Sequence, residues 1–227
     1  MILLNIRFVC LTSKDLKLIL ADKSGIIQPV LLGLILIFVF SLSVPIGEEV
    51  PAQAAASIFW LATIFALILV FNTLYSLEET NQARLGLLLS PMPLQHIWLS
   101  KAFSGLILLA LAQLIFVPAI VVFLGQESIA GWWTLLGVII LVDWGLVAIG
   151  SLLGCVSQGH ASRDSLLSVV IFPLLIPLLL AGIRMCAHLL GAPDDDSIGS
   201  WFGIAFAFGA VFTGVAIILF PFVYSEY

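Results

Sequence analysis

Six stretches of about 20 residues, each long enough to cross the hydrocarbon core of a bilayer as a helix, fill most of this chain. They cover residues 26–44, 57–77, 103–124, 132–153, 165–190 and 201–223, and Asp143 and Arg184 are the only Asp, Glu, Lys or Arg residues inside them. Lipid leaves an isolated strand with unpaired backbone groups, so each stretch must be helical. Ten-residue segments of alternating polarity, the mark of a transmembrane barrel, are not visible. The expected fold is therefore an all-α integral membrane protein of six transmembrane helices. Composition agrees: 9% of residues are charged and 62% hydrophobic, whereas soluble domains carry roughly 25% charged residues. A net charge of −5 excludes a general basic footprint for nucleic acid. Ala52-Gln53-Ala54 has the look of a signal-peptidase site, but the apolar run before it is too long for a signal peptide and reads as the first span.

Basic residues fix the threading. Arg7, Lys14, Lys17 and Lys23 precede the first stretch, Arg84 and Lys101 lie between the second and third, and Arg163 lies between the fourth and fifth. The other three loops hold Glu48, Glu49, Glu127, Asp194, Asp195 and Asp196 and no lysine or arginine. Seven of the eight basic residues thus fall on one side, which the positive-inside rule makes cytoplasmic. Both termini are then cytoplasmic, in a multi-pass membrane protein. Trp132, Trp133 and Trp201 mark outer span edges and Trp98 an inner one, as aromatic belts do.

Two cytoplasmic segments are more than connectors. In residues 1–25, Arg7, Lys14, Asp15, Lys17 and Asp22 gather on one helical face and Ile6, Phe8, Val9, Leu16, Ile19 and Leu20 on the other, with Leu11 and Leu18 on the wrong side. This is the pattern of an amphipathic helix lying in the interface; a charged anchor that only sets orientation is the plainer reading. The segment 78–101 begins polar with Glu78 and Glu79, turns apolar around Arg84, Leu85, Leu87, Leu88 and Leu89, and breaks at Ser90-Pro91-Met92-Pro93. Pro91 and Pro93 exclude a helix interior, so a short helix ends near Leu89 and a second begins beyond, running through Lys101. The two glutamates near the start of the short helix suit its dipole. A lever and a loop that tucks its leucines against the bilayer both fit.

Catalytic motifs are absent. No P-loop, H-E-x-x-H or G-x-S-x-G occurs, so the chain reads as a non-catalytic subunit. Cys10, Cys155 and Cys186 show no metal or haem-attachment spacing and read as small apolar residues. Asp143, mid-span, is a functional candidate because an ionisable group there is costly. Arg184 lies within reach, so a structural Asp143–Arg184 pair and a lone cavity-lining aspartate compete. Pro173 and Pro177 would bend the fifth span as a hinge or as a static kink. Small residues four apart, at Gly150/Gly154, Ala205/Gly209 and Ala210/Gly214, permit close helix approach within the bundle or between subunits.

An amphipathic N-terminal helix, six spans and a cytoplasmic helix between the second and third span resemble the ABC-2 type permeases. Leu87-Leu88-Leu89-Ser90-Pro91-Met92-Pro93-Leu94 followed by Lys101, and the fifth-span stretch from Ser165 to Leu180 with prolines at Pro173 and Pro177, resemble the haem exporter protein B (CcmB) family of cytochrome c maturation. Ala83-Arg84-Leu85-Gly86 departs from the Gly-x-Leu-Glu common in that loop helix. The resemblance implies a permease domain, 26–227, preceded by the helix of 1–25. It would work with a cytoplasmic ABC ATPase that binds ATP and docks on 78–101. Further cytochrome c maturation membrane subunits and a second copy or paired membrane subunit are expected beside it. Haem is then the handled substrate, and ATP hydrolysis is tied to release of a haem-loaded periplasmic chaperone. His188, near the outer end of the fifth span, is a candidate haem ligand; His96 and His160 lie on the cytoplasmic side. A permease for a lipid or polysaccharide and a non-transporting assembly scaffold are the alternatives.

Overall fold

The structure, a computed structural model, describes residues 2–21, 24–45, 50–80, 83–126, 131–157, 161–192 and 198–225. Side chains are described for these except 2–7, 24, 79–80, 161–172, 174 and 225. Among the described residues eight helices follow one another: α1 Ile2–Ala21, α2 Ser24–Leu42, α3 Ala52–Thr80, α4 Ala83–Leu88, α5 Leu94–Phe123, α6 Trp132–Ser157, α7 Ala161–Leu189 and α8 Ile198–Ser225. Among the described residues there is no strand, as expected where every backbone group must be satisfied within its own segment.

Five helices, α2, α3, α5, α6 and α8, carry segments long and apolar enough to cross a membrane. For α7 the described apolar segment is the shorter Leu175–Leu189. The acidic loop residues Glu48, Glu49, Glu127, Asp194, Asp195 and Asp196, the Arg163 side chain and His160 lie outside the described residues.

Helices α3 and α6 form the centre, with 67% of their spanning windows buried, while α2 and α8 are peripheral at 22%. Leu31, Ile35, Phe38, Val39 and Leu42 of α2 face outward, a surface that suits acyl chains. Close approach at the centre depends on missing side chains. A Cβ on Gly154 of α6 would lie 2.7 Å from Tyr75 Cδ2 and 3.1 Å from the Phe71 carbonyl of α3. A Cβ on Gly145 would lie 2.7 Å from Leu178 and 3.4 Å from the Gly209 Cα of α8. Gly150/Gly154 and Ala205/Gly209 thus serve contacts inside this bundle. Ala210 is exposed and nothing meets Gly214 within 4 Å, so that pair faces outward.

The proline break falls where the sequence puts it. Helix α4 stops at Leu88, Ser90 caps it by donating from N and Oγ to the Leu87 carbonyl (3.1 and 2.7 Å), and Pro93 precedes α5. Helix α7 runs as one helix through Pro173 and Pro177, and α2, α5 and α8 likewise contain Pro29, Pro118 and Pro221.

Two expectations are corrected. Trp98 is 1% exposed and donates from Nε1 to Ser151 Oγ at 2.7 Å; its indole is anchored in the bundle and does not belong to an aromatic belt. Asp15 is 3% exposed, although the amphipathic pattern assigned it to the polar face. Leu11, Thr12, Asp15 and Ile19 form the buried stripe of α1, which packs chiefly on α5. That accounts for the misplaced Leu11: the buried stripe is set by a neighbouring helix that offers a cation, not by apolarity alone.

Candidate functional site

The polar contacts of the bundle concentrate at the end where α3 leads through α4 into α5. Lys101, in the second turn of α5, is fully buried. A lone buried ammonium would cost several kcal/mol in desolvation, so its surroundings must be anionic. They come from two helices. In α3, Leu74 and Glu78 stand four apart on one face, and Lys101 Nζ lies 2.6 Å from Glu78 Oε1 and 3.4 Å from the Leu74 carbonyl. The Tyr75 ring of the same turn lies 5.7 Å from that ammonium. In α1, Asp15 Oδ2 lies 3.1 Å from Lys101 Nζ. Lys14 supplies the balancing charge, 3.0 Å from Asp15 and 3.8 Å from Glu78, so two lysines face two carboxylates. Lys14 is 38% exposed, and its pairs count for much less than those of Lys101 because water screens them.

The second oxygen of Glu78 is taken up from the far end of the chain. Tyr224 of α8 donates its hydroxyl to Glu78 Oε2 at 3.2 Å. Its ring stacks on Phe220 with centroids 5.0 Å apart and carries the Arg84 guanidinium at 4.9 Å. Arg84 Nη2 also donates to the Tyr224 carbonyl at 2.7 Å, taking up one of the last carbonyls of α8, which lack partners within the helix. Thr12 and Ser100 share a hydrogen bond of 3.1 Å that fixes α1 to α5 alongside.

Around this cluster the residues singled out in the sequence are arranged as follows. Glu78 lies in the closing turns of α3, 4% exposed, and not at the start of the loop helix; a carboxylate at a helix C-terminus opposes the dipole, and Lys101 offsets it. The Glu79 side chain lies outside those described. Arg84 is partly buried against α8. Leu85 and Leu89 project outward, 62% and 86% exposed, Leu87 and Leu88 are partly buried against the core, and Pro91 and Pro93 are exposed. The short helix therefore has an inner side tied to the bundle and an apolar outer side.

Deeper in the bundle, Asp143 is 1% exposed, and its Oδ1 accepts a 2.8 Å hydrogen bond from Gln113 Nε2. Gln113 also reaches Thr63 Oγ1 at 3.4 Å. A pair with Arg184 of α7 and a lone aspartate were both open for Asp143; the hydrogen bond described comes from a neutral amide of α5. Arg184 and His188 are partly buried and stand four apart, with His188 in the last turn of α7. Pro173 is exposed and Pro177 partly buried. Cys10, Cys155 and Cys186 form no disulfide. Among the described residues no group of three or more His, Cys, Asp or Glu side chains is placed to hold a metal. An apolar cavity between α3, α5, α6 and α7 is lined by Phe59, Val117, Ile120, Leu135, Cys186 and Leu190.

Asp15, Lys101, Tyr224 and Gln113 were not marked as site residues by the sequence. Lys101 served there as a topology signal and as part of the family resemblance. A basic residue eight positions after a proline break, at the foot of an apolar stretch, is the one local hint that a carboxylate must wait nearby.

A helical bundle of long apolar segments, with a charged cluster at the foot of a proline-broken elbow, defines a polytopic integral membrane protein. The particular family follows from comparison with known proteins: the family model described as CcmB protein matches residues 6–226, and the chain belongs to that family. It is 24% identical over 173 residues to heme exporter protein B of Haemophilus influenzae, covering 76% of this chain and 78% of that protein. It is likewise 24% identical over 192 residues to heme exporter protein B of Pseudomonas aeruginosa, covering 84% and 86%.

Proposed function

We propose that this chain is the membrane subunit of an ABC transporter complex for haem export or delivery in c-type cytochrome biogenesis. Membership of the CcmB family over nearly the whole length carries this reading. The ATP-hydrolysing site belongs to a separate cytoplasmic chain, which docks on the segment 78–101. There the exposed Leu85 and Leu89 offer an apolar surface on the outer side of α4, flanked by Pro91 and Pro93. Exposed leucines on a helix whose inner side is held by the bundle are what a partner interface needs.

In this reading α7 is the fifth of six spans, α1 lies in the cytoplasmic interface, and both termini are cytoplasmic in the inner membrane. The bundle works beside a second copy or a paired membrane subunit and with further cytochrome c maturation subunits. Hydrolysis then drives release of a haem-loaded periplasmic chaperone. Asp143 is an internal polar anchor, Pro173 and Pro177 a hinge, and His188 a candidate haem contact.

Co-purification tests the core of this. Extracted from cells that make the cytochrome maturation proteins, the wild-type chain should carry an ATPase chain, and Leu85→Asp/Leu89→Asp should lose it while remaining extractable. An ATPase that binds the double aspartate variant as well as wild type sinks the docking surface. Full c-type cytochrome yield in cells lacking the chain sinks the haem reading and leaves another substrate or a scaffold role.

A further inference from the structure

A helix of six residues with none fully buried has little packing of its own through which to pass on a push. Its Arg84 reaches beyond its own segment. It binds the end of α8, by a hydrogen bond to the Tyr224 carbonyl and by the guanidinium over the Tyr224 ring. Tyr224 is held a second time, at its hydroxyl, by Glu78 of α3. Glu78 in turn shares its other oxygen with the buried Lys101 of α5, which also holds Asp15 of α1. One chain of charged and aromatic contacts thus runs from α4 to α8, α3, α5 and α1.

We propose that Arg84, Tyr224 and Glu78 form a clamp by which displacement of α4 moves the ends of α8 and α3 together, with Lys101 extending the link to α5 and α1. The clamp rests on the reading that the 78–101 segment receives an ATPase, and it assigns positioning roles to Tyr224 and Lys101. Its two grips on Tyr224 are chemically separable. Tyr224→Phe removes the hydroxyl grip and keeps the ring under Arg84. Arg84→Gln removes the guanidinium grip and keeps the hydroxyl on Glu78. Links in series fail together, whereas independent structural contacts lose function independently.

The experiment is a double-mutant cycle in the assembled complex, reading bound ATPase chain, ATP hydrolysis and c-type cytochrome yield. Tyr224→Phe should keep wild-type ATPase content, and in every variant hydrolysis persists and cytochrome yield is counted per bound ATPase chain. Cytochrome yield should fall roughly five- to tenfold in each single variant, the low end of a typical coupling between sites, and no further in the double. Should Arg84→Gln fail to accumulate, Arg84→Lys takes its place, because it keeps the charge and loses the planar stack. Wild-type yield in both single variants, or losses that multiply in the double, overturn the clamp. An ATPase chain already missing from the wild-type complex overturns the docking reading, and the clamp with it.

Discussion

The two buried carboxylate sites solve one problem in opposite ways. Near the end of the bundle, Glu78 and Asp15 meet a fully buried lysine, a second lysine and a tyrosine hydroxyl drawn from three helices. In mid-span, Asp143 meets one carboxamide, that of Gln113. The first site is a charge-balanced cluster; the second joins one carboxyl to one carboxamide, with Thr63 Oγ1 3.4 Å from that amide. Depth in the membrane explains the difference. A lysine near a span end enters from the water side on a short stretch of chain, while a cation at mid-span bears the full cost of leaving water. The contrast teaches that the end cluster ties helices together by charge, whereas the mid-span pair does so by one hydrogen bond.

Substitutions sharpen that contrast in descending order. Lys101→Met leaves Glu78 and Asp15 without their buried cation, and breaking such a pair from one side costs about 3–5 kcal/mol. The variant should show the largest drop in thermal midpoint of the detergent-extracted protein; a drop no larger than that of any other variant here would erase the distinction. Gln113→Leu leaves the Asp143 carboxyl without its donor, at about 1–3 kcal/mol, and should give the second largest shift in the same melts. Lys14→Ala removes a partly exposed member of the end cluster and should cost under about 1 kcal/mol. Asp143→Asn keeps a hydrogen-bonding partner for Gln113 and should change stability by about 0.6 kcal/mol, the average for such bonds between membrane helices. A melt as damaged by Asp143→Asn as by Lys101→Met would mean that the mid-span site also works by charge.

The sequence made the helices plain because lipid leaves one solution for a long apolar stretch, and it made the elbow plain because Pro91 and Pro93 forbid a helix interior. The close contacts at Gly150, Gly154 and Gly209 were also readable as small residues four apart. The candidate site was legible only in part. Arg84 and Glu78 were singled out, but as surface residues of a docking segment, because a local pattern does not reveal that a tyrosine 146 positions away closes over the carboxylate. Asp15 went to the wrong face because a helical wheel sorts residues by polarity, and a buried lysine on α5 inverts that rule for one turn of α1. Asp143 was recognised as costly, but its partner depended on how α5 and α7 pack on α6. Reach left Arg184 open as a partner; packing brings Gln113.

The account depends above all on the α4 elbow facing the cytoplasm. Leu89, 86% exposed, is the place to measure it, by Leu89→Cys in a chain whose Cys10, Cys155 and Cys186 are replaced by alanine. A maleimide too polar to cross the inner membrane, added to spheroplasts, should leave this cysteine unlabelled until the membrane is opened. Labelling in sealed spheroplasts would put the elbow on the periplasmic side, away from any ATPase, and contradict the account.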